Sequence, residues 1–251
     1  MEKLFSLRGM VFITAFLVLA FTAMQIKTFE VHGSNGKYFS MVDFMGPIAG
    51  AFLGIFGVAA IGAAKLINAI FMPPGLAAGD WTALAIGLAR LTPLMFAAWY
   101  FGRNGIRGMQ DKTSILIPIA AMAAFWLHPL SMEWAHVDLW LFSLDLPVAL
   151  YALFWLVPIA VKFMPDKLFL RSLGATFMQH AVGSVIFIYT IPTSPETWVL
   201  LLPFVALERT LLALGITASH MIFTNALNAL DSVWNVTRYI NLEKQYVLSL
   251  D

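Results

Sequence analysis

The sequence contains no cysteine and few charged residues, and each shortage excludes a class of protein. Without cysteine, the chain forms no disulfide and offers no thiolate for catalysis or metal binding. Charged residues make up 12% of the chain, whereas soluble domains have roughly 25%. The net charge is only +1, so there is no basic excess with which to hold a nucleic-acid backbone.

Apolar residues are correspondingly more frequent than in a soluble domain. Of the 251 residues, 60% are hydrophobic, and the mean hydropathy is +0.81. A soluble domain has about 45–50% apolar residues and would be unable to bury this excess. We therefore predict an all-α, polytopic transmembrane helix bundle in the cell membrane, a single domain over residues 1–251 with the lipid bilayer as its first partner.

Seven apolar segments have the length expected of membrane spans, about 17–25 residues or more. The second is too long for one span, and Pro47 and several glycines predict a broken helix or a re-entrant pair there. The tail, 219–251, has the composition of an interfacial or cytoplasmic segment. The seven segments are 10–26, 38–71, 81–101, 113–130, 139–163, 168–191 and 198–218.

Lysine and arginine in the loops predict the orientation, because positive residues concentrate on the cytoplasmic side. Seven spans with an outer N-terminus account for their distribution. Six spans plus a re-entrant second segment, with an inner N-terminus, account for it as well. We prefer seven; both arrangements place the loops at 103–112 and 162–172, and the C-terminus, in the cytoplasm.

Four polar residues lie deep inside apolar segments: Arg90, Asp145, His180 and Glu208. A charge at mid-bilayer costs at least about 2.5–3.5 kcal/mol and normally faces the bundle interior with a partner. We predict that these four side chains line one cavity and form a substrate-binding site. Arg90 would pair with Asp145 or Glu208, and Arg209 with the other acid. The alternative is a set of salt bridges that only fixes the helices relative to one another.

The sequence predicts no catalytic residue, no metal and no cofactor. None of the five histidines is three or four residues from another, so no two share a helical face. Intramembrane protease motifs such as Gly-x-Ser-x-Gly and His-Glu-x-x-His are absent as well. An intramembrane enzyme that uses His180 or His220 with Glu208 is therefore the least favoured interpretation.

The start of the second segment reads Asp43-Phe44-Met45-Gly46-Pro47-Ile48-Ala49-Gly50-Ala51-Phe52-Leu53-Gly54. With the apolar helix before it and the small residues after it, this stretch resembles the substrate-binding S components of energy-coupling factor (ECF) transporters. The resemblance covers residues 10–101. It implies a six-helix protein that binds a vitamin or similar micronutrient and works with a partner transmembrane subunit and ATPases.

The leading hypothesis is thus a non-enzymatic, membrane-embedded subunit that binds a small molecule for uptake and has membrane-protein partners. The rival hypothesis is a structural or assembly subunit of a larger membrane complex. Gly46, Gly50 and Gly54, each four residues apart, allow close helix packing. We predict that this packing is intramolecular; a docking surface for another protein is the alternative.

Overall fold

The structure is a computed structural model that describes residues 6–31, 38–71, 81–103, 112–139 and 142–248. It is predominantly helical, which fits the predicted all-α class. The helices are α1 (Leu7–Met24), α2 (Val42–Leu53), α3 (Ile55–Phe71), α4 (Trp81–Ala89), α5 (Thr92–Arg103), α6 (Thr113–Trp126), α7 (Val157–Ala160), α8 (Leu168–Thr190) and α9 (Pro195–Trp234). Two antiparallel hairpins join them: β1 (Lys27–Glu30) with β2 (Tyr38–Ser40), and β3 (Trp134–Leu139) with β4 (Phe142–Pro147).

Within the described ranges, three helical stretches are long and apolar enough to cross a membrane: Leu7–Met24, Trp81–Arg103 and Pro195–Trp234. Shorter apolar helices, among them the helical run Val148–Phe163, pack beside them. The last long helix has 40 residues, so it continues well beyond the predicted end near residue 218 and takes in much of the predicted tail.

The second apolar segment is two helices, because the chain reverses at Gly54. Gly54 has φ +60° and ψ −134°, a conformation that glycine adopts without a steric penalty. After the reversal α3 runs back along α2, so that Gly57 lies against the backbone of Ala49. The helix α2 has 12 residues and a length of about 18 Å, too short to cross the hydrocarbon core alone.

The glycines of α2 pack against α5, which is the intramolecular packing that the sequence predicted. A Cβ at Gly50 would lie 1.8 Å from the carbonyl oxygen of Ala98, and one at Gly102 would lie 2.3 Å from the carbonyl oxygen of Gly50. The two backbones therefore touch directly. Such close approach favours dispersion contacts where the hydrophobic effect between helices is weak. Gly54 is not part of this contact, since it forms the turn.

The predicted helix over 139–163 is wrong in its first part. Residues 134–139 and 142–147 form a hairpin in which Ala135 and Val137 are buried while His136 between them is exposed. This alternation has the period of two that is typical of a strand. The third segment is also interrupted, at Arg90 and Leu91, just before Pro93 in the first turn of α5.

The beginning of α1 lies beside the C-terminal tail. The rings of Phe12 and Tyr239 are 6.1 Å apart. The backbone N–H of Asn241 donates to the carbonyl oxygen of Phe52, 2.9 Å away, and its side chain donates to Ala51. The tail therefore provides hydrogen bonds that the C-terminal carbonyls of α2 lack within their own helix. The hairpin β1–β2 follows α1 and lies at the other end of the bundle.

Candidate functional site

A buried polar cluster lies where α2 begins, between α2, α8 and α9. We call it the polar chamber and define it by Asp43, Gln179, Glu208 and Arg209. The side chain of Gln179 donates from Nε2 to Oδ1 of Asp43 at 2.9 Å. Arg209 Nη2 lies 3.6 Å from Oε2 of its neighbour Glu208, and Arg209 also interacts electrostatically with Asp43. Three helices thus contribute polar groups to one place.

Asp43 is held in position by the start of its own helix. Its Oδ2 accepts hydrogen bonds from the backbone N–H of Ser40 at 2.9 Å and from the Ser40 hydroxyl at 3.3 Å. An acid in the first turn of a helix also benefits from the positive end of the helix dipole. The carboxylate is therefore oriented with one oxygen toward β2 and the other toward Gln179.

Arg209 is almost fully enclosed, with 4% of its surface exposed. Its guanidinium carbon lies 4.9 Å from the centre of the Phe39 ring in β2, so the hairpin β1–β2 covers it. The Phe29 ring packs on Phe39 with the centroids 4.8 Å apart and approaches Phe44 at 6.3 Å. An aromatic layer from the hairpin and α2 therefore covers the chamber.

Two polar atoms of the chamber are buried without a hydrogen-bond partner among the described residues: Nε of Arg209 and Oε1 of Gln179. A 180° flip of the Gln179 amide would not supply the missing hydrogen bond, because the amide oxygen would then face the carboxylate of Asp43. A buried polar atom without a partner costs about 1–3 kcal/mol, and more when the group is charged. Two such atoms in one cluster are an arrangement that a bound molecule would stabilise.

His180 lies close to the chamber but has partners on both ring nitrogens. Trp155 Nε1–H donates to Nδ1 at 3.2 Å, so that nitrogen is the acceptor of the neutral ring. Nε2 then carries the proton and donates to the Tyr151 hydroxyl at 2.9 Å. Tyr151 also has a hydrogen bond with Ser184. His180 therefore fixes the aromatic wall beside the chamber, and its role as a substrate ligand stays a prediction.

The other two predicted site residues lie elsewhere. Asp145 is in β4 with its side chain 67% exposed, because its segment is a hairpin and not a helix. Arg90 lies in the break between α4 and α5 and is exposed; its Nη2 is 3.5 Å from the Thr190 hydroxyl. No carboxylate of the described residues is within ion-pair distance of Arg90. The four predicted site residues therefore do not share one cavity, and Arg90 pairs with no acid of the described residues. Arg209 does lie beside Glu208, one of its two predicted partners.

Sequence reasoning missed Gln179 and gave Asp43 no role in the site. Gln179 directly precedes His180, and an amide inside an apolar helix is a weaker signal than a charge. Asp43 lies at the start of α2, and its partners on α8 and α9 are more than 130 residues away in sequence. Only the packing of α2 and α8 against α9 brings the groups together.

A second buried charge pair lies at the opposite end of α8. Arg171 donates to both carboxylate oxygens of Glu243 in the tail, at 2.8 and 3.0 Å. Its guanidinium also lies 4.3 Å from the centre of the Phe101 ring and 3.5 Å from Nε2 of His220. His220 is about 18 Å from Glu208 along α9, so these two residues of the enzyme alternative do not form a pair.

No group of three or more metal-binding side chains occurs in the ranges that the structure describes. We found no match to this chain among protein-family models, curated proteins or solved structures. The interpretation of the site therefore depends on its own geometry.

The hairpin β3–β4 provides a pH-dependent contact outside the helices. Nδ1 of His136 is 2.8 Å from Oδ1 of Asp145, and Nε2 is 3.4 Å from Asp138. The hydrogen bond and the charge of Asp145, helped by Asp138, raise the pKa of His136 above its usual 6.5. The pair therefore stabilises the folded hairpin fully below pH 6.5, and this contribution is lost as the pH rises through the folded-state pKa.

We expect Asp145→Asn to lower the pKa of His136, because it removes the larger of the two acidic contributions. A histidine-selective NMR titration measures this value directly, with His128→Gln and His136→Gln used for assignment. Asp138→Asn is the matched control and should lower the pKa less. Equal pKa values in the wild type and Asp145→Asn would show that the two side chains do not interact.

Proposed function

We propose that this chain is the membrane-embedded, substrate-binding subunit of a small-molecule uptake system, with the polar chamber as its binding site. The observation that carries the proposal is the pair of buried, unpartnered atoms on Arg209 and Gln179. Three further features support it. Glu208 and Arg209 are buried, the chamber lies under a hairpin, and it combines a few polar groups with aromatic walls, which is typical of ligand sites.

The resemblance of residues 10–101 to S components of ECF transporters agrees with this role. By that resemblance the substrate is a vitamin-like micronutrient, and a transmembrane partner and ATPases complete the transporter. In this function the chain itself catalyses no reaction. The site residues are accordingly Asp43, Gln179, Glu208 and Arg209, with His180 in the adjoining wall.

Six spans and a re-entrant α2–α3 pair are the topology that best suits this proposal. The start of α1 lies beside the tail, which favours a cytoplasmic N-terminus. The hairpin β1–β2 and the polar chamber then lie toward the outside, where a substrate arrives. Loops with lysine and arginine, such as the one before α8, face the cytoplasm.

Cysteine labelling tests this topology, and the absence of native cysteine makes it simple. Asp166 and Ser194 are both exposed and lie at opposite ends of α8. An impermeant thiol reagent added to whole cells should label Ser194→Cys and leave Asp166→Cys unlabelled until the membrane is permeabilised. The reverse pattern would place the chamber on the cytoplasmic side and contradict an uptake role.

Native mass spectrometry of the gently solubilised protein tests the function. We expect a small-molecule adduct that survives mild activation and is lost on denaturation. A protein that purifies with stoichiometric partner subunits and never with a ligand would instead support the assembly role. One feature favours that rival: a surface cavity of about 260 Å³ beside Gly50, Gly54 and Gly102 exposes small residues on which another helix can pack.

A further inference from the structure

The charges around the polar chamber sum to zero before any ligand binds. Arg209 and Glu208 form one pair, and Asp43 interacts electrostatically with both Arg209 and Lys65. Two positive and two negative groups therefore lie around the chamber; Glu208 and Arg209 are buried, and Asp43 and Lys65 are half-buried. Arg90 lies nearby, since its carbonyl accepts from Lys65 Nζ at 3.4 Å, but it is exposed and its charge is screened by solvent.

The two unpartnered atoms require different hydrogen-bond partners, because one is a donor and the other an acceptor. Nε of Arg209 is a donor on a cation, and its strongest partner is an anionic oxygen. Glu208 does not meet this need, because its closest contact to Arg209 is 3.6 Å, to Nη2, and charge-assisted hydrogen bonds are typically about 2.7–2.9 Å. Oε1 of Gln179 is an acceptor beside the Asp43 carboxylate, a position that attracts a positively charged N–H.

We infer that the ligand is a small zwitterion that carries a carboxylate and a protonated amine. The carboxylate binds Nε of Arg209, and the amine donates to Oε1 of Gln179 next to Asp43. This inference rests on the proposed function and specifies its substrate class. It accounts for both unpartnered atoms and leaves the sum of the four charges around the chamber at zero.

Other ligand classes satisfy the chamber less well. A simple anion would partner Arg209 but leave Gln179 Oε1 without a donor, and it would add an uncompensated negative charge. A simple amine would donate to Gln179 Oε1 but leave Nε of Arg209 without an acceptor, and it would be repelled by Arg209. A neutral amide offers both an acceptor and a donor, but its hydrogen bonds are roughly half as strong as those of charged groups. The zwitterion is the class that the charges favour.

The test is the chemistry of the molecule released from the purified full-length protein. The compound is freed by denaturation and analysed by mass spectrometry before and after methyl esterification, and before and after acetylation. We expect one compound that gains both groups. A compound that gains only one, or neither, would overturn the inference while the proposed function stands. If no preparation yields a compound, the proposed function fails and the inference fails with it.

Two variants test whether the compound binds in the polar chamber. Arg209→Lys keeps the positive charge but removes the Nε donor, and Gln179→Met keeps the size but removes the acceptor. Each should lower ligand affinity at least about tenfold, the effect of one lost charged hydrogen bond. The exposed Arg238→Lys and Gln25→Met are matched controls and should bind as the wild type does. Circular dichroism confirms that each variant is folded.

Full occupancy of folded Arg209→Lys and Gln179→Met by the same zwitterion would place its binding site elsewhere and overturn the assignment. Should either variant fail to fold, Gln179→Glu provides a second measurement. It keeps an oxygen at the Oε1 position and places a second carboxyl group against Asp43, so that the pair carries at least as much negative charge as in the wild type. It should retain the amine contact but weaken binding of the acetylated compound relative to the free amine. Equal weakening of both compounds would contradict the inference.

Discussion

Gly50→Ala is expected to destabilise the protein by about 3 kcal/mol, the upper end of the cost of overpacking. The added Cβ would lie 1.8 Å from the Ala98 carbonyl oxygen. That oxygen belongs to the backbone of α5 and cannot rotate away as a side chain can, so α2 and α5 must separate. Since α2 carries Asp43, the separation should also weaken ligand binding. Unfolding in increasing amounts of a denaturing detergent, followed by tryptophan fluorescence, measures the loss.

Gly183→Ala is the matched control for this substitution. Its Cβ would meet only the Pro93 side chain, at 3.8 Å, which is ordinary van der Waals contact. Alanine is better than glycine in a helix by about 0.8–1.0 kcal/mol, so this variant should be as stable as the wild type or more stable. If Gly50→Ala unfolds at the same detergent concentration as Gly183→Ala, α2 and α5 do not touch as described.

Arg171→Met is expected to cost about 3–5 kcal/mol, because it leaves Glu243 charged and without its partner in a buried position. The two side chains are only 2% and 9% exposed, and their contact is bidentate. The loss should release the C-terminal tail from α8. The same detergent unfolding measures stability, and limited proteolysis after residue 236 measures release of the tail.

The double variant Arg171→Met with Glu243→Met should recover much of that stability, since no charge is then left alone. Arg238→Met is the control for loss of a tail arginine, because Arg238 is exposed. It should change stability by less than about 0.5 kcal/mol. A double variant no more stable than Arg171→Met alone would show that the arginine contributes through its packing on Phe101 and not through the ion pair.

The fold was predictable where the sequence signal is local. The limits of α8 lie within one residue of the predicted segment, because a long apolar run with polar ends defines a helix by itself. The break in the second segment also follows from glycine chemistry, at Gly54, whereas Pro47 lies inside α2 and does not break it. The hairpin over 134–147 was missed, since residues 139–163 are apolar enough to be taken as one span. The burial of the residues before Leu139, however, alternates with the period of two of a strand.

The site was predictable only in part. Glu208 and Arg209 stand out because charges inside an apolar helix are costly, and they do lie in the chamber. Their partners were predicted from depth alone, which ranks residues by distance along a helix but not by the direction in which a side chain points. Arg90 and Asp145 satisfied the depth criterion and lie elsewhere. Gln179 became recognisable only through Asp43, which a different helix brings next to it.

An experimental density map of the purified, ligand-retaining protein tests the central claim most directly. The claim is that the polar chamber holds a small molecule. We expect density that belongs to no residue of the chain, within hydrogen-bond distance of both Nε of Arg209 and Oε1 of Gln179. A map in which protein side chains occupy that space and provide partners for both atoms would contradict the account.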